Sequence, residues 1–329
     1  MNLKSLPGLV TVLLLLACAA ASAGCTWANV SENESAAPAS PQATTSPRET
    51  PAQSSPNGLI GEEEARSLAM TALEQEISGA RIKRVAAEPY DVQNYGEIWR
   101  FRVKAEDDPD PEGDIRVWID ALTGEMVYFQ DGRDYFRATD PAITLDEAER
   151  IAEAYLRERN ETSDVVKTFA VLSTADTPLG ERNGSYYFVY RRSIDDVLCL
   201  YDKITLEIDS IDGRVVSYYK IWRVSDNDTM ADPEPSIAED AAQERVLAYL
   251  NGTYGTDPGD IAIRATELRW YDLAAQHRRS QDSVTLPLAW RIEFDDEWYR
   301  SQDPPRTAEV WIDAHSGEVL SVAYNHLRR

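Results

Sequence analysis

Three stretches of the chain share a helical pattern of apolar positions. They begin at Ile60, Ile143 and Ile237, and apolar side chains recur at offsets 5, 9, 12 and 13 from each isoleucine. These offsets lie on one face of a helix with about 3.6 residues per turn. Acidic residues fill each first turn, where the helix dipole favours negative charge. The pattern predicts three amphipathic helices with these core positions: Ala65, Ala69, Ala72, Leu73, Ala148, Ala152, Tyr155, Leu156, Ala242, Val246, Tyr249 and Leu250.

Each predicted helix is followed by alternating apolar and polar residues, which is the pattern of half-buried strands. Trp99–Val103 and Trp290–Phe294 alternate cleanly, and Tyr186–Tyr190 is their less regular counterpart. Another apolar segment precedes each of these strands, and a hairpin follows it. Each stretch therefore predicts one helix covering one face of an antiparallel sheet of about four strands, an α+β arrangement.

The predicted hairpins share a turn in which an Asp is followed four residues later by a Gly. The Asp can accept hydrogen bonds from backbone N–H groups of the turn, and the Gly can adopt the positive φ that the turn requires. We therefore expect equivalent turns at three places in the chain. The turn residues are Asp120, Gly124, Asp209, Gly213, Asp313 and Gly317.

Together, the helix opening Ile-x-x-x-x-Ala, the aromatic strand and the turn Ile-Asp-x-x-Thr/Ser-Gly-Glu resemble the PepSY domain. The resemblance covers residues 58–329 and implies three repeated units, at 58–138, 139–230 and 231–329. The middle copy departs most, with Asp212 and Arg214 in its turn. Because the family includes the pro-region of thermolysin-type peptidases, the resemblance implies a module that binds or restrains an exported peptidase or another envelope protein.

Residues 1–24 have the parts of an export signal. Lys4 gives the positive start, and Leu9–Ala17 gives an apolar run too short to span about 30 Å of hydrocarbon. The segment Ser22-Ala23-Gly24-Cys25 resembles a lipobox. That resemblance implies a lipid on Cys25 and a location on the extracytoplasmic face of the cell membrane. The alternative is a secreted protein, cleaved after Ala23.

The segment after the predicted signal differs from the rest of the chain. Residues 25–57 are rich in Ser, Ala, Pro and Thr and have almost no large apolar side chain, so that nothing offsets the entropy of ordering them. We expect a disordered tether there. Six Asn lie in Asn-x-Ser/Thr sequons, which are candidate N-glycosylation sites in tether, loops and element ends. They are Asn29, Asn33, Asn160, Asn183, Asn227 and Asn251.

The formal net charge of −24 argues against nucleic acid as a partner, because nucleic-acid binding needs a basic surface. Only Cys199 lies outside the N-terminal segment, within an apolar run, so we expect a small buried side chain and no internal disulfide.

Motifs that carry chemistry are absent from the sequence. There is no His-Glu-x-x-His, Gly-x-Ser-x-Gly or Gly-rich phosphate loop, so we predict neither a catalytic site nor a cofactor. Asp108, Asp110 and Glu112 have the spacing of the first ligands of a calcium loop, but Ile119 occupies the twelfth position, where an EF-hand has Glu. We interpret this run as a solvated strand connection, with a weak calcium site as the alternative.

Trp118 and Trp311 are out of phase with their apolar neighbours, which places them on the sheet face away from the helix. Such a face is either a packing surface between units or a binding surface for a partner. Glu207 fills the same place in the middle stretch. The sequence thus favours a lipid-anchored, non-catalytic binding module. The alternatives are a structural or scaffolding envelope lipoprotein and, more distantly, an enzyme without a recognisable motif.

Overall fold

Three long helices are each followed by a series of strands in the computed structural model, which describes residues 59–77, 82–88, 98–106, 115–133, 140–177, 180–224, 228–272 and 283–324. The helices are α1 Glu62–Glu76, α2 Leu145–Glu158, α3 Glu239–Tyr254 and the short α4 Glu297–Arg300. None of the described helices is long and apolar enough to span a membrane.

Fourteen strands accompany the helices in the described residues. They are β1 Ile82–Glu88, β2 Ile98–Ala105, β3 Ile115–Asp120, β4 Met126–Asp131, β5 Val165–Thr177, β6 Gly180–Ile194, β7 Val197–Asp209, β8 Val215–Ile221, β9 Thr229–Met230, β10 Ala262–Trp270, β11 Thr285–Leu286, β12 Leu288–Asp295, β13 Ala308–Asp313 and β14 Val319–Ala323.

The strands form an α+β fold with one large, mostly antiparallel sheet. Its first part has the order β1-β2-β3-β4-β8-β7-β6-β5, and its second part has the order β10-β12-β13-β14. A parallel bridge between Trp270 and Cys199 joins the two parts. The sequence predicted separate sheets of about four strands, but β4 pairs with β8 and merges the first two sets, because both strands have free edges that satisfy each other's backbone groups.

The predicted helical stripe is confirmed. In α1, α2 and α3 the side chains at offsets 5, 9 and 13 are fully buried, and those at offset 12 are partly buried. Each helix start is also fixed to the central strand of its sheet by an aromatic side chain that donates to the carbonyl of the preceding isoleucine. These anchors are Trp99 to Ile60 at 3.0 Å, Tyr186 to Ile143 at 2.8 Å and Trp290 to Ile237 at 2.8 Å.

The three hairpin turns have the predicted geometry. Gly124, Gly213 and Gly317 have φ values of 75°, 74° and 76°. Asp313 shows the side-chain role, because its Oδ1 accepts hydrogen bonds from the N–H groups of His315 at 2.9 Å and Ser316 at 2.7 Å. A side chain with a Cβ is strained at such φ values, so the turn favours glycine at all three positions.

The seam between β4 and β8 is symmetric. Phe129 pairs with Tyr218 at its centre, and both lie nine residues after their turn Asp. Glu76 at the end of α1 and Arg159 after α2 are also an ion pair, and each lies sixteen residues after the isoleucine that precedes its helix. Equivalent positions thus meet along an approximate two-fold axis.

Two further ion pairs cross the seam with their charges exchanged. Arg214 Nη1 lies 2.5 Å from Asp131 Oδ2, and Lys220 Nζ lies 3.2 Å from Glu125 Oε2. Arg214 and Glu125 each lie five residues after a turn Asp, whereas Asp131 and Lys220 each lie eleven residues after it. The departure of the middle turn from the common pattern therefore has a structural reason, because Arg214 reaches the neighbouring strand.

Candidate functional site

Trp311 is not a binding surface, which corrects one of the two interpretations of the sequence. The indole is 0% exposed. The ring of Tyr271, which follows β10, lies 5.3 Å away between centroids, and the indole Nε1 lies 3.3 Å from Glu309 Oε1. The alternation correctly separated Trp311 from the core under α3. However, other parts of the same chain cover this face, and the Trp311 face is therefore a packing surface.

Trp118 lies on the corresponding face of the first part of the sheet and is half-buried. The Arg100 guanidinium lies 3.8 Å from its ring centroid, and the Tyr128 ring stacks at 4.2 Å with an angle of 27°. Tyr219 of β8 contacts it edge-on at 6.0 Å. These contacts join β2, β3, β4 and β8, and most of the indole surface is thereby used within the chain.

The row that contains Trp118 continues across the sheet to β5. Consecutive cross-strand pairs link Trp118, Tyr128, Tyr219, Thr205, Val189 and Phe169. Thr205 and Val189 are buried, whereas Phe169 is exposed. The row therefore ends in an exposed apolar side chain at the edge of the sheet, on the face opposite α1 and α2.

Three large apolar side chains on that face of β5 form what we call the apolar edge. Val166, Phe169 and Val171 are 46%, 39% and 41% exposed, and the Phe169 ring contacts Tyr187 at 6.3 Å. Within the described residues β5 pairs only with β6, so that its other side is a sheet edge. Ala170, between two of these side chains, packs into the core under α2. β5 is therefore apolar on both faces.

Long apolar edge strands are uncommon because their unpaired backbone groups can pair with another chain. Proteins usually protect such edges with charged side chains, proline or bulges. β5 has register shifts between Lys167 and Phe169 and between Leu172 and Thr174, but it contains no proline. Lys167 makes an ion pair with Glu149 of α2. The apolar edge is thus a candidate site for pairing with an extended segment.

A second candidate is a cleft of about 570 Å³ on the two-fold axis, between the C-terminal ends of α1 and α2. Tyr155 donates a hydrogen bond to Glu76 at 2.9 Å, and the Arg159 guanidinium lies 4.7 Å from the Tyr155 ring and 4.8 Å from the Tyr218 ring. Tyr218 in turn donates to Glu161 at 2.9 Å.

The electrostatics of this cleft hold the helices together. Burial and the charge of Glu76 raise the pKa of Tyr155, and burial and the charge of Glu161 raise the pKa of Tyr218. Burial opposes the charge on Arg159, but the neighbouring Tyr155 and Glu76 raise its pKa overall. Both phenols therefore remain protonated near neutral pH, and the charged groups neutralise one another. This arrangement is a structural network between α1 and α2.

The structure describes only part of the predicted modification sites. Asn160 follows α2 and is exposed, and Asn251 is exposed in the last turn of α3, where its amide donates to the carbonyl of Thr256 at 3.1 Å. Asn183 lies within strand β6, which corrects its predicted placement in a loop or at an element end, since the β5–β6 hairpin is longer than the alternation indicated. Cys25, Asn29, Asn33, Asn227, Asp108, Asp110 and Glu112 lie outside the described residues.

Among the residues that the structure describes, no cluster of three or more His, Cys, Asp or Glu side chains is arranged to hold a metal ion. Cys199 is fully buried, as predicted, and burial raises the pKa of its thiol.

Sequence reasoning missed the apolar edge. A signal was present, since Val165–Leu172 lacks the clean alternation of a strand with one solvated face. Apolar residues on both faces normally indicate a central strand, because such strands are covered on both sides. Only the pairing order shows that this strand is at an edge.

Comparisons with known proteins give one family match. A model described as the YcdB, YcdC repeated domain matches residues 88–222, which run from the end of β1 to just past β8. The matched region thus contains the β4–β8 seam and the apolar edge. No curated protein matches the chain.

Two solved structures are similar to the chain at low identity. The Bacillus megaterium YpeB C-terminal domain is 14% identical, with a TM-score of 0.43, over 81% of this chain and 99% of that chain. An uncharacterized protein from Eubacterium rectale is 10% identical, with a TM-score of 0.39, over 79% of this chain and 82% of that chain.

Proposed function

We propose that the protein is a lipid-anchored, extracytoplasmic protein built from three PepSY-like repeats, and that it binds an exported partner without catalysis. The partner contributes an extended segment that pairs with β5. The observation that carries the proposal is the apolar edge, where Val166, Phe169 and Val171 are exposed on one face of an edge strand.

The repeat part of the proposal is supported by contacts that recur at equivalent positions. Each helix start is bound by an aromatic anchor from a central strand. Each hairpin also has the same Asp–Gly turn, and the residue after each turn Asp accepts a hydrogen bond from the isoleucine before its helix. The matching family is described as a repeated domain, which agrees with this organisation.

The binding part of the proposal follows from the physics of strand addition. An added strand satisfies the edge N–H and C=O groups of β5, and its alternate side chains cover the apolar edge. Covering three large apolar side chains that are nearly half exposed removes apolar area from water, which favours association. An exported peptidase is one class of partner, and β5 would then pair with an extended segment of that peptidase.

Replacing Val171 with lysine should abolish partner recovery without unfolding the protein. A charge on an exposed strand position changes stability by less than about 0.5 kcal/mol, but it would be buried in the complex. The measurement is affinity capture from an envelope extract with the full-length protein, quantified by mass spectrometry.

Leu122→Lys is the matched control, because Leu122 is 45% exposed and lies in the β3–β4 turn, away from β5. A partner that is lost with Val171→Lys and kept with Leu122→Lys supports the proposal, and equal recovery with both variants contradicts it. Inhibition of a recovered extracellular peptidase by the protein favours a peptidase as the partner. Recovery with cell-wall or surface-layer material, without inhibition, favours a scaffolding lipoprotein.

Cys25→Ser should release the protein from the membrane into the medium or leave it unprocessed. The small residues before Cys25 and the Pro-rich segment after it motivate this expectation. Membrane fractionation and metabolic labelling with a fatty acid measure it. Unchanged membrane association together with unchanged labelling would show that the anchor lies elsewhere.

A further inference from the structure

Strand β14 is the counterpart, in the third set of strands, of the two strands that form the seam. β4, β8 and β14 each follow one of the three Asp–Gly turns. β4 and β8 pair with each other across the approximate two-fold axis, whereas β14 is last in its strand order. Within the described residues β14 pairs only with β13, so that one edge of a seam-type strand is left without a partner strand.

β14 has the local geometry of the seam strands. The pairing of β13 with β14 shifts register after Trp311, and the pairing of β3 with β4 shifts register after the equivalent Trp118. The seam consists of three cross-strand pairs, at positions eight, nine and ten residues after the turn Asp. β14 contains all three positions, which are Ser321, Val322 and Ala323. The strand is therefore long enough to make the same pairs.

The side chains at these positions differ in burial in the way that a missing neighbour explains. Phe129 and Tyr218, at the centre of the seam, are 0% exposed. Val322 occupies the same place and packs against the core under α3, but it is only partly buried, and the next residue, Ala323, is exposed. A strand laid along β14 would give the third set the cover that β4 and β8 give each other.

Charges select which strands can form a seam of this kind. Three ion pairs hold the seam together, and each joins one acid to one base. Neither β4 nor β8 could therefore meet a copy of itself in this register without placing like charges together. The three pairs are Glu76–Arg159, Glu125–Lys220 and Asp131–Arg214.

The third set of strands lacks this obstacle. Thr253 occupies the place of the charged residue at the ends of α1 and α2, and Tyr324 occupies the place of Asp131 and Lys220. Glu318 keeps an acid at the remaining place, but in the seam register it would face the uncharged Tyr324 of a second copy. A β14 strand can thus pair with another β14 strand without the like charges that disfavour β4–β4 and β8–β8 pairs.

We propose that two copies of this chain associate through β14 in the register of the seam. The two strands run antiparallel, with Val322 opposite Val322 of the second copy and Ser321 opposite its Ala323. The two sheets then continue into one another, and the α3 helices lie on the same face, as α1 and α2 do at the seam. This interface is separate from the apolar edge on β5, and it holds whether or not that edge binds a partner.

Two-fold pairing gives a closed dimer and not a fibre. The contact uses the same edge of both copies, which leaves no second β14 edge for a third copy. Pairing also satisfies the backbone N–H and C=O groups along the edge of β14. Val319–Ala323 contains neither a charged side chain nor a proline, which are common protections of an edge strand.

A cysteine at position 322 tests this pairing in the full-length protein. At the two-fold axis the two Cα atoms of an antiparallel pair lie about 4.5–5.5 Å apart, within the range that a disulfide bridges. Val322→Cys should therefore give a disulfide-linked dimer under mild oxidation in the envelope. The unmodified chain is the background control for the other cysteines, and its Cys199 is fully buried.

Ser321→Cys is the control for the register. Ser321 would face Ala323 of the second copy, so the two new thiols would lie on a diagonal with Cα atoms about 7–8 Å apart, beyond the usual reach of a disulfide. This variant should yield at least about tenfold less cross-linked dimer than Val322→Cys. No dimer with Val322→Cys, or equal yields at the two positions, would overturn the proposal.

Charge variants of the same strand provide an arm that needs no new cysteine. Ser321→Lys with Ala323→Lys would place like charges opposite each other at two symmetric places, whereas Ser321→Glu with Ala323→Lys would place opposite charges there. Co-purification of two differently tagged full-length copies measures the association. The like-charge variant should recover about tenfold less of the second copy than the opposite-charge variant. Equal recovery with both variants, or no recovery with the unmodified chain, would refute pairing through β14.

Discussion

Replacing Trp311 with alanine should lower the free energy of unfolding by about 3–5 kcal/mol. The indole is fully buried on β13, against Tyr271 and beside Glu309, so its removal leaves a cavity in a well-packed region. A buried cavity costs both the lost transfer free energy and the lost contacts around it. Urea unfolding followed by circular dichroism measures the change.

Trp118→Ala is the control for this prediction. Trp118 is half-buried, and its cation–π contact with Arg100 and its ring contacts with Tyr128 and Tyr219 together contribute roughly 1–2 kcal/mol. We expect the Trp118 variant to lose less stability than the Trp311 variant. Equal losses of stability in the two variants would show that the two indoles are equally buried, which would contradict their exposure in the structure.

Local patterns predicted the helices, the strands and the turns because each depends on nearby residues. Ala148, Ala152 and Leu156 fall on one stripe of α2, and all three are buried. Thr144 and Glu147 have the spacing of a capping box, and in the structure each side chain accepts a hydrogen bond from the other's backbone N–H. The glycine positions follow from the turn alone, since only the local backbone sets their φ.

The alternation of apolar and polar residues predicted the sheet face on which each tryptophan lies, but it did not predict which residues cover that face. Trp118 and Trp311 occupy equivalent strand positions, and both lie away from the neighbouring helix. Tyr271, which follows β10, covers Trp311, while Trp118 stacks on a side chain of the adjacent strand. These contacts join residues far apart in the chain, and hydrophobic periodicity has no information about such distances.

The sequence patterns also did not predict the order of the strands in the sheet, and the candidate site depends on that order. The apolar edge exists because β5 is last in the order β8-β7-β6-β5. The same residues on a central strand would form ordinary core. The pairing of β4 with β8 covers the opposite edge of these strands, and it uses side chains that look unremarkable in sequence, including Asp131 and Lys220.

Asp131→Asn should destabilise the protein by about 3–5 kcal/mol, because it removes the buried carboxylate that pairs with both Arg133 and Arg214. Asp131 is fully buried, and its carboxylate accepts hydrogen bonds from Arg133 at 2.8 and 2.9 Å and from Arg214 at 2.5 Å. Urea unfolding at neutral pH, compared with the unmodified chain, measures the loss.

The pH dependence of this loss has a definite sign. Burial raises the pKa of Asp131, but the hydrogen bond from Arg133 and the charges of Arg214 and Arg133 outweigh it and lower the pKa below 3.8. The contribution to stability is complete above 3.8 and is lost as the pH falls through the lower folded-state value. The difference between the variant and the unmodified protein should therefore shrink in strong acid.

Glu125→Gln is the matched control, since Glu125 and Lys220 form the symmetry-related pair with exchanged charges. The Glu125 side chain is 60% exposed, and removing a surface pair costs less than about 1 kcal/mol. A loss for Glu125→Gln as large as that for Asp131→Asn would contradict this asymmetry.

The exchanged charges also specify which strands pair. If β4 met a second β4 in the register of the seam, Asp131 would face Glu125, and two acids would repel each other. If β8 met a second β8, Lys220 would face Arg214. Asp131→Lys should therefore disfavour the pairing of β4 with β8 at the Asp131–Arg214 end of the seam, because the new lysine would face Arg214. The expected result is a larger loss of stability than for Asp131→Asn, and an equal loss would show that charge does not select the partner strand.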